Sequence, residues 1–111
     1  MPLDARTYLF DILQSVESIH AYVGNQSFET YEQNALLVSA VERQLMIVGE
    51  AVTQLLKLEP NTNIAGASQI IGFRNILVHN YGRVSQAVVW TIIVDHLPQL
   101  EADARAMLEN N

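Results

Sequence analysis

The sequence predicts an all-α bundle of four to five helices. Apolar residues recur every three or four positions along most of the chain, which is the period of a helix with one buried face. Nothing alternates with period two over the length of a strand. Five Gly and three Pro in 111 residues are too few for disorder or for the many turns of an all-β chain. A chain of this length holds one core of ordinary size, so residues 1–111 are read as a single helical domain.

The first helix is expected from about Asp4 to Val23. Leu9, Ile12, Leu13, Val16, Ile19 and Val23 form its apolar stripe, and Gly24-Asn25 reads as its stop. Ser27 is placed to cap the next helix, with Glu29 in the first turn where the dipole favours an acid. That second helix is expected to run from about Phe28 to Lys57. Val38, Val41, Leu45, Val48, Val52 and Leu55 make the seam of a helix pair, and Leu36, Leu37, Ala40, Ile47 and Ala51 make a second apolar side. A helix with two apolar sides is either central in the bundle or meets another chain. The remaining strip carries Glu32, Ser39, Arg43, Met46, Glu50 and Lys57. Gly49 lies inside the helix, where it costs roughly 1 kcal/mol relative to Ala, and close approach of another helix, within the bundle or at a dimer contact, explains it.

Glu59-Pro60-Asn61-Thr62-Asn63 reads as a loop. A short helix is expected from about Ser68 to Val78, followed by a turn at Tyr81-Gly82-Arg83. Ser85 can cap a helix from Gln86 to about His96. Pro98 either kinks a continuing helix or sits in the first turn of a new one; a new helix starting near Leu97 is favoured, with Leu100, Ala104 and Met107 as its buried face.

Composition excludes several classes of function. Without Cys the chain forms no disulfide and no thiolate metal site. The longest apolar runs, such as Val88 to Val94, fall far short of the roughly 20 residues that span a bilayer. The N-terminus lacks the basic start and apolar stretch of a signal peptide, so a cytoplasmic domain is expected. A net charge of -6 argues against a generic nucleic-acid coat but leaves room for a local basic site. Glu17 and His20 have Glu-x-x-His spacing, but a di-iron bundle needs two such pairs and two further Glu, so no metal is expected. His96 near a helix C-terminus is read as a dipole-favoured structural residue. There is no Gly-rich phosphate loop and no nucleophile elbow.

One cluster carries chemistry. Arg74-Asn75-Ile76-Leu77-Val78-His79-Asn80-Tyr81 gathers a fixed cation, an imidazole, a phenol and two amides at the end of a short helix. Arg can hold a phosphate bidentately, and a His can take a proton from a ribose 2′-hydroxyl. Arg74 and His79 are five residues apart, about 140° around an ideal helix. They converge only if the helix ends before His79 and the turn folds back. The plainer reading is that Arg74, His79 and Tyr81 cap the helix and pair with Glu50.

Arg74, His79 and Tyr81 fit Arg-x4-His-x-Tyr, with Asn75 directly after the Arg. With Val48-Gly49-Glu50-Ala51, Gly72-Phe73-Arg74-Asn75, and Trp90 before Leu97-Pro98-Gln99-Leu100, the chain resembles the HEPN superfamily over nearly its whole length, and most closely the HepT toxins. The resemblance implies a metal-independent endoribonuclease without cofactor, the toxin of a type VII-like toxin–antitoxin pair. It implies Arg74 and His79 as the catalytic pair, supported by Asn75 and Tyr81. Glu50 is either an acid that orients Arg74 or a plain salt-bridge partner. The implied partners are RNA (transfer or messenger), held by Arg74 and Arg83, and an MntA-like nucleotidyltransferase antitoxin that transfers AMP to Tyr81. The resemblance also implies a homodimer through the long helix and the motif region, with two motifs facing one cleft. HEPN domains also occur as catalytically silent modules that bind a nucleotidyltransferase or a nucleotide, and that is the alternative expectation.

Overall fold

A computed structural model describes residues 3–79 and 84–110. The first helix, α1, spans Leu3–Val23 and buries Ala5, Leu9, Ile12, Val16, Ile19 and Val23, the expected stripe, with Leu13 half-buried at its edge. It ends at Gly24, whose φ of +55° is a left-handed conformation that other residues adopt only at a cost; its amide bonds the carbonyl of His20 at 2.9 Å. Ser27 caps α2, Phe28–Glu32, by accepting from the Thr30 amide at 3.2 Å.

The long second helix is broken in two, a correction to the single helix over Phe28 to Lys57. After α2, Asn34 takes an extended conformation and its side chain accepts from the Leu37 amide at 3.1 Å, starting α3 at Ala35–Leu58. An Asn that can satisfy a free helix-start amide competes with helical continuation. The break turns Tyr31 inward, where it is fully buried against Trp90 and Phe28 (ring centroids 5.2 and 6.5 Å).

α3 packs against α1 on one side and α4, Ala67–His79, on the other, so its two apolar sides make it the central helix. Val41, Leu45, Val48, Val52 and Leu55 are buried and Val38 half-buried, while Leu36 on the second side is 83% exposed. Ser85 caps α5, Gln86–Thr91, through the Val88 amide at 3.4 Å. The last helix starts at Leu97 with Pro98 in its first turn, as expected, and no gap precedes it. A wide π turn over Ile92–His96 joins α5 to α6, Leu97–Glu109, and the Leu97 amide reaches back to the carbonyl of Ile92. Pro98 follows that bond in the first turn of α6, the part of a helix that best tolerates a residue without an N–H. α6 returns to α1 and buries Leu100 and Ala104, with Met107 half-buried.

The described residues thus form five helical runs around one hydrophobic cluster, an all-α bundle as the periodicity predicts. No described helix is long and apolar enough to cross a membrane.

Candidate functional site

The site is built where α4 crosses α3. Gly49 gives α3 a bare stretch of backbone, and Arg74 of α4 lies directly on it. A Cβ at residue 49 would collide with Arg74 Cβ and stand 2.6 Å from its Cγ. The close approach expected for Gly49 is therefore made by the motif arginine. One residue further along α3, Glu50 receives the guanidinium: Nη2 lies 2.7 Å from Oε2. Nη1 donates to Asn75 Oδ1 at 3.0 Å, and Gln54 Nε2 donates to the other oxygen of Glu50 at 2.9 Å. Gln54, Glu50, Arg74 and Asn75 thus form one polar chain. The pair is open to water, with 28% and 46% of the two side chains exposed, so it contributes at most about 1 kcal/mol to folding. Its effect is to fix direction. Two of the five guanidinium N–H groups are engaged, and the others bond no described residue, which leaves them available to an anion.

His79 is the last residue of α4 and is exposed. The helix therefore does not end before His79, and the fold-back that would bring it to Arg74 does not occur at that point. At about 100° per residue, Arg74 and Val78 face α3, while Gly72, Asn75, Ile76 and His79 form a second stripe. All four residues of that stripe are exposed. The structure brings Arg74, Asn75 and Glu50 together and sets His79 on a neighbouring face. Tyr81 and Arg83, the expected modification and RNA-binding positions, lie outside the described residues, as does the turn expected over Tyr81-Gly82-Arg83.

A cleft of about 300 Å³ opens beside the Arg74–Glu50 pair, between α1, α3 and α4. Arg74 and Glu50 line it together with Arg43, Asp11 and Tyr8. The periodicity that placed Arg43 and Glu50 on one strip of α3 could have pointed to Arg43. Asp11 and Tyr8 come from a helix far away in sequence and carried no local signal. A second polar chain was also not foreseen. The buried Tyr31 hydroxyl donates to Gln86 Oε1 at 2.5 Å, and Gln86 Nε2 donates to Glu42 Oε2 at 2.6 Å. Burial, and secondarily the Glu42 carboxylate, push the Tyr31 phenol well above its usual range, so it remains a proton donor. Through this chain α2 and the first residue of α5 are tied to α3.

The family described as ribonuclease HepT-like matches residues 12–107. "Putative RNase TTE0752" of Caldanaerobacter subterraneus subsp. tengcongensis is 34% identical over 106 residues, covering 94% of each chain. "Putative RNase MJ1380" of Methanocaldococcus jannaschii is 26% identical over 102 residues, covering 90% of this chain and 93% of its own. No solved structure matches. With the family spanning all but the ends of the sequence, and a relative sharing a third of its residues from end to end, the chain belongs to the ribonuclease HepT-like family of the HEPN superfamily.

Proposed function

We propose that the protein is a metal-independent endoribonuclease, the toxin of a type VII-like pair with a nucleotidyltransferase antitoxin, acting on cytoplasmic RNA. The observation that carries the reading is the held arginine: in a chain of this family, Arg74 is aimed by Glu50 and Asn75 with N–H groups to spare. In the proposed reaction the ribose 2′-oxygen attacks the adjacent phosphorus and the bond to the 5′-oxygen breaks, leaving a 2′,3′-cyclic phosphate. His79 takes the 2′ proton or supplies one to the leaving oxygen, and Arg74 neutralises the charge that develops on the phosphorane. The chemistry calls for no cofactor.

Arg74 and His79 face different ways on α4, so the proposal includes a homodimer in which two motif helices share one cleft. The exposed stripe of Gly72, Asn75, Ile76 and His79 suits that role. Nothing lies within 4 Å of a Cβ added at Gly72, and Ile76 is 43% exposed. Two such stripes would bury both Ile76 side chains and set the His79 of one copy near the Arg74 of the other. Arg83 would add positive charge to the groove, and AMP on Tyr81 would block it with a bulky anion.

Cleavage of RNA by the purified protein in excess EDTA, beside His79→Ala, tests the reading. Activity in the wild type that disappears in the variant is the expected result. The divergence of Arg74 and His79 within one chain favours the rival reading, a silent module that binds a nucleotidyltransferase. A dimeric protein with unmodified Tyr81, shown by mass spectrometry, that leaves RNA intact would establish that rival.

A further inference from the structure

The cleft beside Arg74 is more than the space left by a salt bridge. Three helices build it with regular spacing. Tyr8 and Asp11 are one turn apart on α1; Arg43, Met46, Ile47 and Glu50 follow one face of α3; Arg74 and Val78 are one turn apart on α4. Its lining combines apolar Met46, Ile47 and Val78 with the charged Asp11, Arg43, Glu50 and Arg74. Two of these charges, Arg74 and Glu50, pair with each other. The other two, Arg43 and Asp11, make no ion pair or hydrogen bond with any described residue, although both border the same cleft. An apolar lining with a few unpaired polar groups is the pattern of a small-molecule subsite, and about 300 Å³ is at the lower end of such sites.

We infer that this cleft is a guanine nucleotide subsite of the RNA, next to the cleaved bond, in which Arg43 takes a phosphate and Asp11 reads the base. The inference rests on the ribonuclease reading above. Arg43, exposed on α3, offers a planar fork that matches two phosphate oxygens. It stands two turns along α3 from Glu50, so a phosphate on Arg43 and another at Arg74 would bracket one nucleotide. The base would lie against the apolar lining and the Tyr8 ring, a contact that every base can make. Asp11 supplies the discrimination. An ionised carboxylate only accepts, with two oxygens side by side. Guanine presents two adjacent donors, N1–H and the N2 amine. Adenine and cytosine present one amine beside an acceptor, and uracil presents one imino donor between two carbonyls. Asp11 therefore faces a base edge rather than a phosphate, which resolves the presence of an acid in an RNA groove.

The test uses 2′-O-methyl RNA heptamers, which lack the attacking hydroxyl and stay intact, with affinity read by fluorescence anisotropy at several salt concentrations. Wild-type protein should bind a uracil heptamer carrying one central guanine about tenfold more tightly than the all-uracil heptamer. Asp11→Asn should remove that preference and leave the salt slope unchanged. Arg43→Gln should weaken both heptamers equally and lower the slope of log affinity on log salt by about 0.7, and Arg43→Lys should restore the slope. Circular dichroism would confirm that each variant keeps the wild-type helix content. Equal binding of the two heptamers by the wild type, a guanine preference that survives in Asp11→Asn, or an unchanged slope in Arg43→Gln would overturn the subsite. Cleavage of ordinary RNA in EDTA, measured alongside, separates the two levels. A protein that cleaves without guanine preference loses only the subsite, whereas one that prefers guanine heptamers but never cleaves keeps the subsite and loses the ribonuclease reading.

Discussion

Arg74 rests its Cβ and Cγ on the bare backbone of Gly49, and its guanidinium emerges at the carboxylate of the next residue, Glu50. The absence of a side chain at position 49 is thus what sets the height of the motif arginine over the central helix. Gly49→Ala should show this. Helix propensity alone would stabilise the protein by roughly 1 kcal/mol. The collision with Arg74 involves the first atoms of its side chain, which cannot swing aside without moving α4, and overpacking of this kind costs about 1–3 kcal/mol. The variant should therefore melt at a lower temperature than the wild type, and RNA cleavage should fall further than stability does. A higher melting temperature with full activity would contradict the arrangement.

Glu50→Gln separates orientation from stability. Both side chains of the pair are partly exposed, so unfolding free energy should change by less than about 1 kcal/mol. If Glu50 aims Arg74, kcat for RNA cleavage should drop by about tenfold or more while RNA affinity stays level or rises, because a negative charge has left the groove. Parallel small losses in both would mark Glu50 as a surface salt-bridge partner.

Ile76→Glu addresses the α4 stripe. The side chain is 43% exposed in the single chain, so the monomer should fold with a stability within about 0.5 kcal/mol of wild type. Two glutamates brought together across a pair of α4 helices would repel each other. Light scattering should report a monomer, and cleavage should be lost with the dimer. A variant that remains dimeric would place the contact elsewhere.

Tyr31 predicts an alkaline limit. Its phenol is held protonated in the folded protein, above the ordinary value of 10.0 that it regains on unfolding. Below pH 10 both states carry the proton and the stabilisation is fully present. Above it the unfolded chain releases a proton that the folded chain retains, so stability falls as pH rises. Tyr31→Phe should remove this dependence. It should also cost about 1–3 kcal/mol at neutral pH, because the amide oxygen of Gln86 loses its donor. Denaturant titrations at neutral and alkaline pH would measure both effects.

Much of this architecture is legible in the residues. The stripe of α1, the stop at Gly24 and the caps at Ser27 and Ser85 are local signals, and local geometry fulfils them. The break at Asn34 was hidden because helical periodicity continues on both sides of it, and one cap residue is a weak signal inside a long apolar pattern. The path through Pro98 was hidden for the opposite reason: proline predicts an interruption, yet the backbone stays helical by widening one turn. In the site, Gly49 announced a close approach without naming Arg74 as the visitor. Arg74 and Asn75 stood out as neighbours in sequence. Tyr8 and Asp11 could not, since their place beside Arg43 is a product of how α1 lies against α3.

The wide turn at Ile92–His96 has a consequence for which chain lengths this fold accepts. A π turn holds one residue more than an α turn while keeping the helices on either side in phase. Deleting one residue there, such as the exposed Val94, should leave the apolar faces of α5 and α6 aligned, whereas a deletion elsewhere in the run would rotate one against the other. Pro98 complicates this tolerance, because in a plain α-helix its ring would press on the carbonyl four residues before it. The deletion should therefore be harmful alone and largely repaired by Pro98→Ala. The spare residue and the proline would then behave as a linked pair, each acceptable in the presence of the other, and a double-mutant cycle would measure their coupling.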